Sequence, residues 1–506
     1  MTAITALALS SCAGDSGSSA SPAQDSTLTI ALPSAPTSLD PSRGSGGSNA
    51  VFQLPAYSAL LHQGDVGEMP MPGLAESYEW IGDGNRTLQI TLREGLMFSD
   101  GTPLDSEAVK ASVEHFAEAG SVFSYVALPI ASIDTPDERT VVFNLSTPSP
   151  TFIFDIAEGS GMGSIISPAA LASDTSMLGT QTVGAGPYTL SPESTVEGSE
   201  YHYVPNEHYP HPDEIAWNEI VIKVIADPST ALAALQSGQV DITTGFADSY
   251  EMATGDGVNA AVFNTNTAGL MIQDREGAIV PALGDERVRQ AINLAIDREA
   301  ISKAVTFGTG QPTVQLPIPG TIGYDGSLDE VYSYDPERSR ELLAEAGYGA
   351  GFDMPIVVPG FIPTSSAIAQ ALAAQFGAVG ITLSITSSMT FPEFAQAQES
   401  GSFAGTMAGV EMAIGMPRAL GGALAPYGLV NPRNEVFPDV LAAAEVASEL
   451  SGEAADEAWA KVNRMVVEQA LLAPVTTEST IYYYSDGVTG ILDNRTLNPV
   501  YITSAL

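Results

Sequence analysis

The side chains of this 506-residue chain best suited to metal or covalent chemistry are five histidines and one cysteine. His202, His208 and His211 lie close together with Glu207 among them. Imidazoles beside a carboxylate at such spacing form a metal-ligating set when they share one side of a loop. The same spacing suits histidines that face water from a linker between strands, and that reading is preferred, so no metal ligand is assigned. A lone cysteine excludes an internal disulfide framework and any cysteine-rich zinc or iron–sulfur centre. The sequence contains no G-x-S-x-G elbow, H-E-x-x-H helix, G-x-x-x-x-G-K-[ST] loop or G-x-G-x-x-G turn. Residues 44–49 (GSGGSN) and 159–164 (GSGMGS) are glycine-rich but lack the lysine and the strand–loop–helix order of a phosphate cradle. No catalytic residue and no cofactor follows, and the chain is not expected to be an enzyme.

Charge narrows the partners. Sixty acidic against eighteen basic side chains give a net charge of −42, a field that repels phosphate backbones and argues against nucleic acid. The chain is 44% hydrophobic, enough for real cores. No window approaches the roughly 18 uninterrupted apolar residues of a membrane span.

Cys12 ends the apolar stretch of residues 6–12 (ALALSSC). Leu9, Ser10, Ser11 and Cys12 resemble a bacterial lipobox, in which small residues fit a signal peptidase and the thiol takes a lipid that holds the protein at a membrane. Residues 1–12 are therefore expected to be a signal peptide, and 13–26, rich in Gly and Ser, a flexible tether. No Lys or Arg precedes the apolar run, so Met1 is expected to lie inside a longer precursor.

The elements that must position any site follow from periodicity. Residues 27–32 (TLTIAL), 88–92 (LQITL), 141–145 (VVFNL), 220–224 (IVIKV) and 381–385 (ITLSI) alternate or run apolar as strands do. Residues 104–119 form a helix capped by Asp105 or Ser106, and 228–237 another, stopped by Gly238. From Glu286 to Val305, Val288, Ile292, Ala295, Ile296, Ile301 and Val305 follow helical spacing. Asp335-Pro336 starts a helix that Gly347 ends, and 366–378, 438–450 and 453–471 are helical as well. The fold class is α/β.

In order along the chain come Leu39-Asp40-Pro41, Leu74-Ala75-Glu76, Leu92-Arg93-Glu94-Gly95, Phe98-Ser99-Asp100-Gly101-Thr102-Pro103, Gly184-Ala185-Gly186-Pro187-Tyr188, Asn206 with Tyr209, Asp285-Glu286-Arg287-Val288-Arg289 and Ala295-Ile296-Asp297-Arg298. Together they resemble the extracytoplasmic solute-binding proteins, family 5, that serve ABC importers of peptides, nickel and opines. Most of these residues are scaffold. Gly101 and the Gly184–Pro187 segment both read as tight turns.

The resemblance implies a two-lobed periplasmic-binding-protein-like fold with an extra subdomain in the first lobe. The first lobe would comprise residues 27–264 and 474–506, with an insertion at about 65–180, and the second 265–473. The chain would cross between them near Phe263–Asn266 and near Ala473–Val475. It implies a monomer, at the cell surface or in the periplasm, that captures a solute between the lobes and delivers it to permease subunits. An oligopeptide-like solute is the simplest. The same fold serves a nickel chelate, an opine or an oligosaccharide; a surface hydrolase is the alternative of another class. The resemblance nominates Ser45, Asn49 and Phe52 as cleft residues of the first lobe, and Ser160 and Met162 lie in a glycine-rich segment that could approach the same cleft. From the second it nominates Glu411, Met412, Met416 and Arg418. Peptide-binding members carry Gly-Trp and then an Asp for the ligand amine in that last stretch. Here Val410 replaces the Trp and no Asp follows before Pro417. Either Glu411 substitutes as the anion, or the ligand lacks an amine altogether; Arg418 is a bidentate donor that could instead hold a carboxylate.

Overall fold

The computed structural model describes residues 26–43, 48–121, 124–411, 414–426, 428, 430–491 and 496–505. Cys12, Ser45 and Met412 lie outside them, as do residues 1–25, which hold the expected signal peptide and all but the last residue of the expected tether, and the side chain of Glu411.

One ten-stranded sheet runs through the molecule. From edge to edge it contains Ile381–Ser388, Phe352–Pro359, Gly405–Glu411, Asn259–Ile272, Ala473–Tyr484, Ile242–Gly245, Thr27–Leu32, Glu219–Val224, Glu200–Pro205 and Tyr188–Leu190. Alternating side chains feed a separate core on each face. At one end Leu28, Ile30 and Leu32 enter a core with Tyr201, Tyr203 and Ile220, while Ala31 faces one with Leu235, Ile481 and Tyr483. At the other end Leu270, Ile272, Met354 and Ile356 pack under three helices, Glu286–Leu294, Arg298–Thr306 and Pro363–Gly377. There Met271 faces the opposite side, against Met416, Leu420, Trp459 and Val462. The body is therefore two-lobed, each lobe a layered α/β unit, and each buried Leu or Ile contributes roughly 1.5–3 kcal/mol relative to exposure.

A second sheet of four antiparallel strands, Ala75–Trp80, Thr87–Leu92, Thr140–Leu145 and Ile130–Asp137, stands beside the first lobe. Helix Ser106–Glu118 covers it, burying Val109, Val113 and Phe116 against Leu88, Ile90 and Phe143. Asp105 is its cap, with a carboxylate oxygen accepting from the Ala108 N–H at 2.9 Å.

Two readings of the sequence are corrected. The helical spacing from Glu286 to Val305 belongs to two helices. The first ends at Leu294, and Asp297 caps the second by accepting from the Ala300 N–H at 3.0 Å. The apolar period survives the break because both helices pack on the same core. Gly184 and Gly186 are not turn residues with left-handed backbone. A Cβ at Gly184 would lie 2.3 Å from the Ala56 carbonyl oxygen, and one at Gly186 only 2.5 Å from the Ala56 carbonyl carbon. Both are glycine because another backbone passes there. Gly101 does have the left-handed φ, +79°, expected of its turn.

Candidate functional site

Strands Asn259–Ile272 and Ala473–Tyr484 belong to both lobes. Their pairing runs from Asn259 opposite Tyr484 to Leu270 opposite Ala473, with a register shift between Asn264 and Asn266. Toward the first lobe the outer neighbour of Ala473–Tyr484 is Ile242–Gly245. Toward the second, the outer neighbour of Asn259–Ile272 is Gly405–Glu411, with Asn266 opposite Glu411. At this level both strands turn polar: Asn264, Thr265, Asn266 and Thr267 on one, and Thr476, Thr477, Glu478, Ser479 and Thr480 on the other. A strand passing between two cores buries neither face in hydrocarbon there, and a bulge adds local bend. The second strand's polar stretch lies beyond Ala473–Val475. Most of these groups satisfy one another. Thr477 and Ser479 hydroxyls both donate to the Asn264 side-chain oxygen, at 2.7 and 3.1 Å.

Strands Phe352–Pro359, Ile381–Ser388 and Gly405–Glu411 run parallel to one another. Their C-terminal ends lead into helices Pro363–Gly377, Phe391–Glu399 and Met416–Ala423, so three helix N-termini gather at one edge of the second lobe. That edge of an open α/β sheet is where ligands bind, because uncommitted N–H groups and loops converge there. Phe361, Met389 and Phe391 remain 38%, 64% and 60% exposed at this edge. Phe361 meets the Phe391 and Phe394 rings edge-on, at 6.5 and 6.3 Å between centroids.

The lobes touch across this edge. Arg418 makes an ion pair with buried Asp155 of the first lobe. Ile414 is buried in the core of the four-stranded subdomain. The Asn85 amide donates to the Ser448 and Leu450 carbonyls, each at 2.8 Å. Nearby, three donors converge on one oxygen of Glu158: its Oε1 accepts from His62 Nδ1 at 2.9 Å, Asn498 Nδ2 at 2.9 Å and the Tyr501 hydroxyl at 2.8 Å. Burial, and next the charge of Glu158, hold the Tyr501 hydroxyl pKa far above its ordinary value.

The nominated residues divide sharply. Arg418 sits at the junction of the lobes, committed to an internal carboxylate. Ser160 is close to the same carboxylate's residue, its hydroxyl donating to the Asp155 main-chain carbonyl. Asn49 fastens its own loop, accepting from the Thr37 N–H at 2.8 Å and donating to the Thr37 hydroxyl at 3.2 Å. Phe52, Met162 and Met416 are fully buried in three different cores, so none presents a face to a ligand in this conformation. Glu411 is placed only by its backbone, opposite Asn266. Of the histidines, His202 is paired through Nδ1 with Glu219 at 2.8 Å, and the His211 ring meets Tyr209. Asp155, Glu158 and Glu478 were missed from the sequence. Glu478 lies on the polar stretch of the second crossing strand, and burial raises its carboxyl pKa.

Residues 69–418 match the family described as bacterial extracellular solute-binding proteins, family 5 middle. The glutathione-binding protein GsiB of Escherichia coli K12 is 30% identical over 341 residues, 65% of this chain. The chain spans 64% of that relative's length. Among solved structures, HbpA2 from Haemophilus parasuis superposes with a TM-score of 0.83 at 20% identity, covering 95% of this chain and all of that one. The PBP AgaA from A. tumefaciens R10, in complex with agropinic acid, gives 0.74 at 25% identity, covering 92% of this chain and 95% of that one.

Proposed function

Because this chain belongs to the bacterial extracellular solute-binding proteins of family 5, we propose that it is a receptor that captures a small peptide-like solute between its lobes and delivers it to an ABC permease. The observation that carries the reading is the hinge. Two strands shared by both lobes turn polar at one level, beside an edge where three helix N-termini and exposed aromatic rings converge. A solute touching both walls favours the closed arrangement by its difference in affinity for closed and open forms, which is all a receptor needs for signalling occupancy to a permease. Binding and release need no bond to form or break, and no side chain here is assigned a catalytic role. The relative named for glutathione, a tripeptide, supports a peptide-like ligand. The neighbour solved with agropinic acid supports an opine as the second reading. Cys12 would carry the lipid that keeps the receptor, as a monomer, at the outer face of the membrane in which its permease works.

A thermal-shift screen of the full mature chain tests this, with short peptides, glutathione, opines, nickel with histidine, and oligosaccharides. A ligand at 100 times its Kd adds about 2.7 kcal/mol of stability. Hits confined to peptides or opines support the receptor and name its solute. A screen without hits, on protein that native mass spectrometry shows to be ligand-free, sinks it. For the anchor, Cys12→Ser in the native gene should release the protein from membranes; continued retention removes the lipid from the proposal.

A further inference from the structure

Glu478 differs from the chain's other acidic groups near the cleft. Its carboxylate lies across the neighbouring strand and over Gly409: a Cβ built at Gly409 would stand 2.8 Å from Glu478 Oε2, with the Asn266 Cβ 3.9 Å away on the same side. Asn266 and Glu478 are directly opposite each other on the two crossing strands. Neither side chain has a hydrogen-bond or ion-pair partner among the described residues. The contrast with neighbouring acids is plain, since Asp155 is held by Arg418 and Glu158 by three donors. A carboxylate drawn partly out of water without a counter-charge is costly and persists where something else supplies the partner. Gly409, lacking a side chain, leaves room over the sheet for the Glu478 carboxylate itself.

We propose that Glu478, assisted by the Asn266 amide, is the counter-ion for an ammonium group of the captured solute. The ligand class is therefore an amine, in a peptide its free N-terminus. Burial keeps the empty carboxyl reluctant to ionise, and an arriving ammonium reverses that by pairing with the charge at short range. Because the two residues lie on the strands that cross between lobes, the amine is grasped at the hinge itself. This assignment rests on the receptor reading above and deepens it by naming the functional group recognised.

Calorimetry on the full mature chain tests it with glutathione, trialanine, their N-acetylated forms and putrescine. Wild type is expected to bind at least one free-amine probe, to bind its N-acetylated form at least 10-fold more weakly, and to lose at least 10-fold on Glu478→Gln. Gly409→Ala, whose methyl would push the Glu478 carboxylate from its place without altering charge, should weaken the same probe comparably. Circular dichroism confirms that both variants fold. If Glu478→Gln binds the free-amine probe as wild type does, or if acetylation changes nothing, the assignment is overturned while the receptor reading stands. If peptides fail but putrescine binds and depends on Glu478, the amine assignment holds and the peptide reading falls. If wild type binds none of the probes, the assignment is overturned, and the wider solute screen decides the receptor separately.

Discussion

Glu158 and Glu478 are both carboxylates drawn away from water near the junction of the lobes, and they have opposite surroundings. Glu158 accepts from a histidine, an asparagine and a tyrosine drawn from distant parts of the chain, with Asn498 and Tyr501 tying the C-terminal segment back to the subdomain. Glu478 accepts from nothing among the described residues and faces a glycine. An acid on which several of the protein's own donors converge is structure, because removing it strands those donors. A desolvated acid left empty is a cost to the free protein that a bound cation offsets. The difference separates scaffold from site more cleanly than burial does.

The largest test of that contrast is Glu158→Ala. It leaves three donors without their acceptor and should cost about 3 kcal/mol in urea unfolding, in line with breaking a buried charge-assisted network. A loss below about 1 kcal/mol would place Glu158 with the dispensable surface acids. Next comes Arg418→Ala, which removes the ion pair across the lobes. The closed chain should have a radius of gyration of ~23 Å, and small-angle scattering should show the unliganded variant more extended than wild type. Identical curves would mean that the pair does not hold the lobes together.

The smallest effect concerns Glu478 in the unliganded protein. Burial raises its folded pKa above the ordinary 4.5. The folded state therefore holds the proton more tightly, and the associated stability is present below pH ~4.5 and lost as pH rises through the raised value. Glu478→Gln removes that loss. It should raise Tm at pH 7 by ~1–2 °C and make no difference below about pH 4. A variant less stable than wild type at pH 7 would mean that Glu478 is structural after all, and would erase the contrast with Glu158.

Much of the fold was readable from short-range chemistry. Thr27–Leu32 is a strand with the bounds its alternation predicts, and Asp335 with Pro336 starts a helix at the predicted residue, the carboxylate accepting from the Arg338 N–H at 2.8 Å. These features depend on neighbours in the chain. The candidate site was read less well. Phe52, Met162 and Met416 look like ligand walls in sequence and are core in the structure, because an apolar side chain in a glycine-rich or helix-starting segment carries no mark of which way it points. Glu478 is one acid among sixty acidic residues, and nothing adjacent in sequence reveals that it is desolvated. A usable signal did exist. Polar residues on both faces in the middle of two otherwise apolar strands mark the place where each strand leaves one core for another.

The α/β class, the order and caps of most elements, the strong negative charge and the resemblance that carried family and architecture were all legible along the chain. Those depend on composition, periodicity and motifs along one stretch of chain. It took the folded chain to show that Glu286–Leu294 and Arg298–Thr306 are separate helices, that Gly184 and Gly186 make room for a crossing backbone, that Arg418 is committed to Asp155, and that Glu478 is left without a partner among the described residues. Each of these depends on which groups from remote segments arrive within a few ångströms, and so on the balance of desolvation and pairing that only the folded chain sets.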